Sequence, residues 1–178
     1  MKKSFLSVLI FHSLLFTVSA QKPELIIPIG HTADILTCCY SPDGNYILSG
    51  GCDNIMILWE ISSGKQIRVF SGHSNFITYA CFSPDGKQIV SCSDDGTAKL
   101  WDVATTQELF TFHAKSANFT KACFSKNGQR LVLCEEGYNV YLFDLPSKKI
   151  VWEELENKAI YGPLNLQFAL NETKIFIA

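Results

Sequence analysis

Histidine is scarce, with four residues in 178, which leaves few imidazoles for general acid–base chemistry. No G-x-S-x-G elbow, H-E-x-x-H helix, P-loop or C-x-x-C pair occurs, so the local signatures of serine hydrolases, zinc proteases, nucleotide-phosphate cradles and dithiol redox sites are all missing. Basic residues are not in excess, at 15 Lys+Arg against 17 Asp+Glu. Nucleic acid and anionic membrane surfaces select for a concentrated basic patch, and nothing here favours either. Beyond residue 20 no apolar stretch reaches the roughly 20 residues that a membrane-spanning helix needs. What the chain does have is 47% hydrophobic and 18% charged residues, the balance of something that folds.

The first twenty residues read as a targeting segment. Lys2 and Lys3 open it, Phe5 to Val18 is an apolar run interrupted by Ser7, His12, Ser13 and Thr17, and Val18-Ser19-Ala20 offers small residues for cleavage before Gln21. A cleaved secretory signal at 1–20 is expected, with the mature protein secreted or in the cell envelope, periplasmic or extracellular. No cysteine precedes Cys38, so a lipid-anchored cysteine directly after the signal is excluded. Without Lys2 and Lys3, 13 basic residues face 17 acidic ones, a net charge of −4.

The rest of the chain repeats itself with a period of 42 residues. Gly30-His31 recurs as Gly72-His73, the turn ending at Gly44 as the turn ending at Gly86, and Trp59-Glu60 as Trp101-Asp102. A further step of 42 lands on "ACFSKNG" at 122–128 and on Phe143-Asp144. "LQFALNETKIFIA" begins a fourth copy, displaced by two extra residues.

Within each copy, runs rich in β-branched and aromatic residues ("ITYACF", "KQIVSC", "TAKLWD", "ELFTF") flank turn signals such as Ser83-Pro84-Asp85-Gly86. That predicts four strands per copy. The innermost runs, "DILTCCY" and "ITYACF", are apolar or small at nearly every position, as in a sheet covered on both faces. Sheets of this kind stacked around an axis make a β-propeller. The expected fold is all-β, with four-stranded antiparallel blades in an open or partial propeller: repeats at about 30–71, 72–113 and 114–155, and part of another at 156–178.

These residues closely resemble the tryptophan–aspartate (WD) repeat family. The Gly-His pair, the Ser-Pro-Asp-Gly turn and the closing Trp with an acidic residue are met in the first two copies, and the likeness extends from Leu25 to the end of the sequence. The resemblance implies that each unit supplies three strands of one blade and the outermost strand of the next, so "ELIIP" (24–28) would belong to a blade completed by the far end of the chain. It also implies a hydrogen-bonded tetrad in each blade: His31, Ser49, Asp53 and Trp59 in the first, His73, Ser91, Asp95 and Trp101 in the second. Each buried polar member of such a set finds a partner, whereas orphaning one costs about 1–3 kcal/mol.

In the third copy the matching positions are Lys115, Leu133, Gly137 and Phe143. All four members are replaced together, and the expectation is a blade held by packing alone, through Val140, Leu142 and Phe143.

Seven cysteines is an odd number, so at least one thiol stays free or pairs outside the chain. Cys39, Cys81 and Cys123 are equivalent, as are Cys92 and Cys134, and read as core thiols. Cys38 and Cys39 point to opposite sheet faces and should not pair with each other. Cys52 beside Asp53 has the residue types of a nucleophile and its partner, but a turn between strands explains the same residues and is preferred. His12 leaves with the signal, His31 and His73 are structural, and His113 is a loop residue. Two sequons, at Asn118 and Asn171, would matter only in a eukaryotic secretory pathway.

No catalytic, cofactor-binding or metal-ligating set is therefore expected. The family resemblance implies a rigid, non-catalytic scaffold binding a protein or peptide across the loop end of the propeller. The residues there are Asp34, Phe76, Asn118, Cys52, Asp94 and Glu136, three acidic and one a large aromatic, suited to a basic or mixed peptide. Two alternatives are a binding or regulatory part of a longer enzyme and a propeller hydrolase or lyase. Three units and part of a fourth do not close a ring, so the sequence is expected to be a fragment or to self-associate through open edges.

Overall fold

The computed structural model describes residues 30–115, 117–136, 139–155, 166–168 and 175–177. The expected signal at 1–20, the strand at 24–28, Gly137 and Asn171 lie outside them. Three four-stranded antiparallel sheets follow one another along the chain, each in simple sequential order. The first holds β1 (Ile35–Tyr40), β2 (Tyr46–Gly51), β3 (Ile55–Glu60) and β4 (Gln66–Ser71). The second holds β5 (Ile77–Phe82), β6 (Gln88–Ser93), β7 (Thr97–Asp102) and β8 (Glu108–His113). In the third are β9 (Phe119–Phe124), β10 (Arg130–Glu135), β11 (Asn139–Asp144) and β12 (Lys149–Leu155). A hairpin of β13 (Leu166–Phe168) and β14 (Ile175–Ile177) follows, with Leu166 opposite Ile177. No helix among the described residues is long and apolar enough to cross a membrane.

Turn chemistry sets the period. Between β1 and β2, Gly44 takes a φ of 73°, and its N–H donates to the Ser41 carbonyl at 3.0 Å. Asp43 receives the Ser41 hydroxyl at 2.5 Å and the Asn45 N–H at 3.0 Å, so the turn is tied through its own side chains. The second copy repeats this with Ser83, Asp85 and Gly86. In the third, Asn127 replaces the aspartate and still receives the Ser125 hydroxyl at 2.8 Å. Every outermost strand carries a bulge at the same place, after Gln66, Glu108 and Ile150.

Sheet-on-sheet packing makes the core. Leu48, Met56, Leu58 and Phe70 of the first sheet interlock with Ile77, Ala80, Ile89 and Trp101 of the second. The far face of the second sheet, with Val90, Ala98, Leu100 and Phe112, meets Phe119, Ala122, Leu131, Leu133, Tyr141 and Phe143 of the third. Val132, Cys134 and Val140 on the next face receive Phe168 from β13. The second sheet is thus covered on both sides, as its unbroken apolar strands predict. The first is different: Ile35 and Tyr40, on its outward face, are 50% and 70% exposed. Its apolar inner strand meets the second sheet through Thr37 and Cys39, and among the described residues nothing covers the opposite face.

Candidate protein-binding rim

Two chains of hydrogen bonds anchor the loop end of the first two sheets. His31 Nδ1 donates to Asp53 at 2.8 Å, its Nε2 accepts from the Ser49 hydroxyl at 2.7 Å, and the Trp59 indole N–H donates to the same hydroxyl at 2.7 Å. In the second sheet, His73 meets Asp95 at 2.8 Å and Ser91 at 2.7 Å, and Trp101 reaches Ser91 at 2.8 Å. With the proton on Nδ1, every donor in both chains finds an acceptor. The aspartates do a second job, accepting the backbone N–H of Thr32 (2.9 Å) and of Ser74 (3.0 Å) and so fixing the loop that enters the innermost strand.

Burial acts on these groups in opposite senses. It would raise Asp95, but the hydrogen bonds from Thr97, the Ser74 N–H and His73 outweigh it and hold the carboxyl near pKa 2. Asp53 is lowered in the same way, with burial outweighed by the Thr32 N–H and by His31. His73 is lowered, because desolvation of the ring outweighs the attraction of Asp95.

The third sheet corrects the expectation that packing alone holds it. Leu133 and Phe143 are buried where the serine and tryptophan would stand, and Phe143 packs edge-on to Phe112 at 4.5 Å. On the same strand as Leu133 lies Glu135, 1% exposed, within a polar cluster of its own. Its Oε1 accepts the Lys115 N–H at 2.5 Å and the Tyr141 hydroxyl at 2.9 Å, and its Oε2 accepts Asn139 Nδ2 at 2.7 Å. Lys115, in the place of the tetrad histidine, also reaches Glu153 on β12 at 2.6 Å. Reasoning from the four tetrad positions missed Glu135 because it sits two residues before the vacated aspartate position, in the place of Gly51 and Ser93 of the other copies. The available signal was a carboxylate ending an otherwise apolar strand, "RLVLCE".

The rim itself is built three times. The Cys52 N–H donates to the Asp34 carbonyl at 2.8 Å, that of Asp94 to Phe76 at 3.0 Å, and that of Glu136 to Asn118 at 2.8 Å. Each sequence-predicted rim residue of one loop is therefore hydrogen-bonded to its partner in the other. A Cβ at Gly51 would lie 2.0 Å from the Asp34 carbonyl oxygen, so the first of these approaches requires glycine. Asn118 Nδ2 donates to Asp94 Oδ1 at 3.4 Å, which joins the rims of the second and third sheets. Phe76 stands 43% exposed on this rim.

All seven cysteines are free thiols. Burial raises Cys81 and Cys92 and pushes Cys39 up to about 11 and Cys134 to about 12, so these sulfurs stay protonated at neutral pH. Cys38 is exposed on the outward face of the first sheet and Cys39 faces the second sheet. Among the described residues, no three His, Cys, Asp or Glu side chains converge to hold a metal ion.

Sequentially ordered four-stranded sheets, stacked face on face with His–Asp–Ser–Trp chains at one end, define blades of the propeller type. Residues 22–60 and 64–102 each match the family described as "WD domain, G-beta repeat", so these two segments are WD repeats. Both matched segments are copies with a tetrad. The chain is similar to a subunit of chromatin assembly factor 1 from Mus musculus, 38% identical over 42 residues, and to the small ribosomal subunit protein RACK1z of Arabidopsis thaliana, 42% identical over 38 residues. These segments are 24% and 21% of this chain, and the chain matches only 7% and 12% of the two relatives' own lengths.

Proposed function

We propose that the protein is an exported, non-catalytic interaction scaffold that binds a basic or mixed peptide segment of a protein partner across the rim formed by Asp34, Cys52, Phe76, Asp94, Asn118 and Glu136. The observation that carries the reading is the threefold bridge between rim loops, which holds acidic residues and one exposed aromatic on a common edge. A rigid acidic surface with an apolar anchor suits a cationic segment that also supplies an apolar residue. Export rests on the N-terminal pattern of Lys2, Lys3, the apolar run and Val18-Ser19-Ala20.

The test is fluorescence anisotropy with a labelled synthetic peptide rich in arginine and carrying one leucine, and with an aspartate-rich counterpart. The arginine peptide is expected to bind and the acidic one not. Phe76→Ala and Asp94→Ala should each weaken binding about tenfold, the scale of a modest hot spot. Unchanged affinity in both variants overturns the reading.

Self-association is the second part of the proposal, and it rests on a separate observation. Ile35, Cys38, Ile47 and Trp59, on the outward face of the first sheet, occupy the repeat positions of Ile77, Ala80, Ile89 and Trp101, which the first sheet covers. They line a groove of about 400 Å³, and a blade face of a second copy is the occupant the repeat specifies.

A further inference from the structure

We infer that Glu135 is a positioning residue of the rim: a buried carboxylate clamp that does in the third sheet what the tetrad aspartate does in the first two. The inference deepens the rim reading above and rests on it. In the first two sheets the essential grip on the entering loop is a carboxylate accepting one backbone N–H, from Thr32 or Ser74. The third sheet has glycine at the aspartate position, 137. Glu135 supplies the carboxylate instead, and takes the N–H of Lys115, one residue earlier in the loop.

Three features make this a built clamp. First, the position already touches the loop in the other sheets: Gly51 lies against the Asp34 carbonyl, and the Ser93 hydroxyl donates to the Asn75 carbonyl at 3.1 Å. Second, a carboxylate that is 1% exposed is costly without donors, and here Lys115, Asn139 and Tyr141 provide them from the loop and from β11. Third, the clamp leads directly to the recognition surface. The loop it grips carries Asn118, which accepts the Glu136 N–H and donates to Asp94 across the sheet boundary. The charged groups beside it include the Lys115 ammonium and its partner Glu153.

Amide hydrogen exchange on the full chain tests the clamp, with Glu135→Gln alone and combined with Asn139→Asp. The glutamine of the single variant has one acceptor oxygen where the carboxylate has two, and the aspartate of the double variant supplies an acceptor for the glutamine amide. The single variant is expected to raise exchange at the Lys115 and Glu136 amides about tenfold or more, leaving the Asp94 and Cys52 amides unchanged, and the double variant to recover most of the protection. Tyr141→Phe removes one donor and keeps the carboxylate, and should raise exchange at Lys115 by a smaller factor. Unchanged exchange at Lys115 and Glu136, or an even rise across all three sheets, overturns the clamp. Affinity for the arginine-rich peptide is read on the same proteins: it should weaken in Glu135→Gln and return with Asn139→Asp. Peptide binding that the single variant leaves intact overturns the positioning role. Responsive exchange in a protein that binds no peptide even as wild type leaves the clamp standing and removes the rim reading.

Discussion

Ser91 is fully buried and serves two neighbours at once, giving its proton to His73 and accepting from Trp101. Ser91→Ala leaves a ring nitrogen and an indole N–H without a partner inside the core. The expected loss is about 1–3 kcal/mol for each group orphaned, measured as a lower urea midpoint at unchanged slope. Acid should act on the same network. His73 has a folded pKa below its ordinary 6.5, so the unfolded chain takes up a proton first and stability falls as pH drops through 6.5. Asp95, lowered from 3.8 to about 2, contributes stability that is present above 3.8 and is lost as pH falls toward 2. Urea titrations between pH 8 and pH 3 should therefore show declining stability, with the decline near pH 6 absent in a His73→Gln variant.

At the scale of the element, the three sheets share turns, bulges and rim bridges but use two different anchors. The repeat made most of this readable in advance. The Gly-His, Ser-Pro-Asp-Gly and Trp positions sit at one spacing, and each demands a local geometry: a turn needing positive φ, or a buried polar group needing a partner. Glu135 was not readable by the same logic, because its role depends on Lys115, Asn139 and Tyr141 converging from a loop and a second strand, and the spacing of Glu135 to each has no precedent in the other copies. The exchange of anchors also forbids a simple reversal. Phe143→Trp places an indole N–H near Leu133, where no serine hydroxyl waits, and disturbs the contact with Phe112. It should lower the thermal midpoint or leave it unchanged, while Glu135→Ala should lower it clearly.

At the scale of the whole molecule, stacking of the sheets makes the second a closed layer, while among the described residues nothing covers the outward face of the first. Unbroken apolar strands call for cover on both faces, but coverage is a property of neighbours, which periodicity within a strand does not report. Ile35→Lys puts a charge on the outward face of the first sheet, in the groove that Trp59 also lines. If copies meet there, sedimentation over a dilution series should show a concentration-dependent species in the wild type that the variant lacks; identical profiles would remove the self-association proposal.

The rim reading makes one demand that residue-resolved hydrogen exchange with and without the arginine-rich peptide meets most directly. Protection should appear at the amides of Cys52, Asp94 and Glu136 and in the loops carrying Asp34, Phe76 and Asn118, the three bridges that line the loop end of the sheets. The turns at Ser41 to Gly44, Ser83 to Gly86 and Ser125 to Gly128, at the opposite end of the strands, should be unaffected. Protection at those turns in place of the rim, or no protection in a sample shown to be saturated with peptide, would contradict the account.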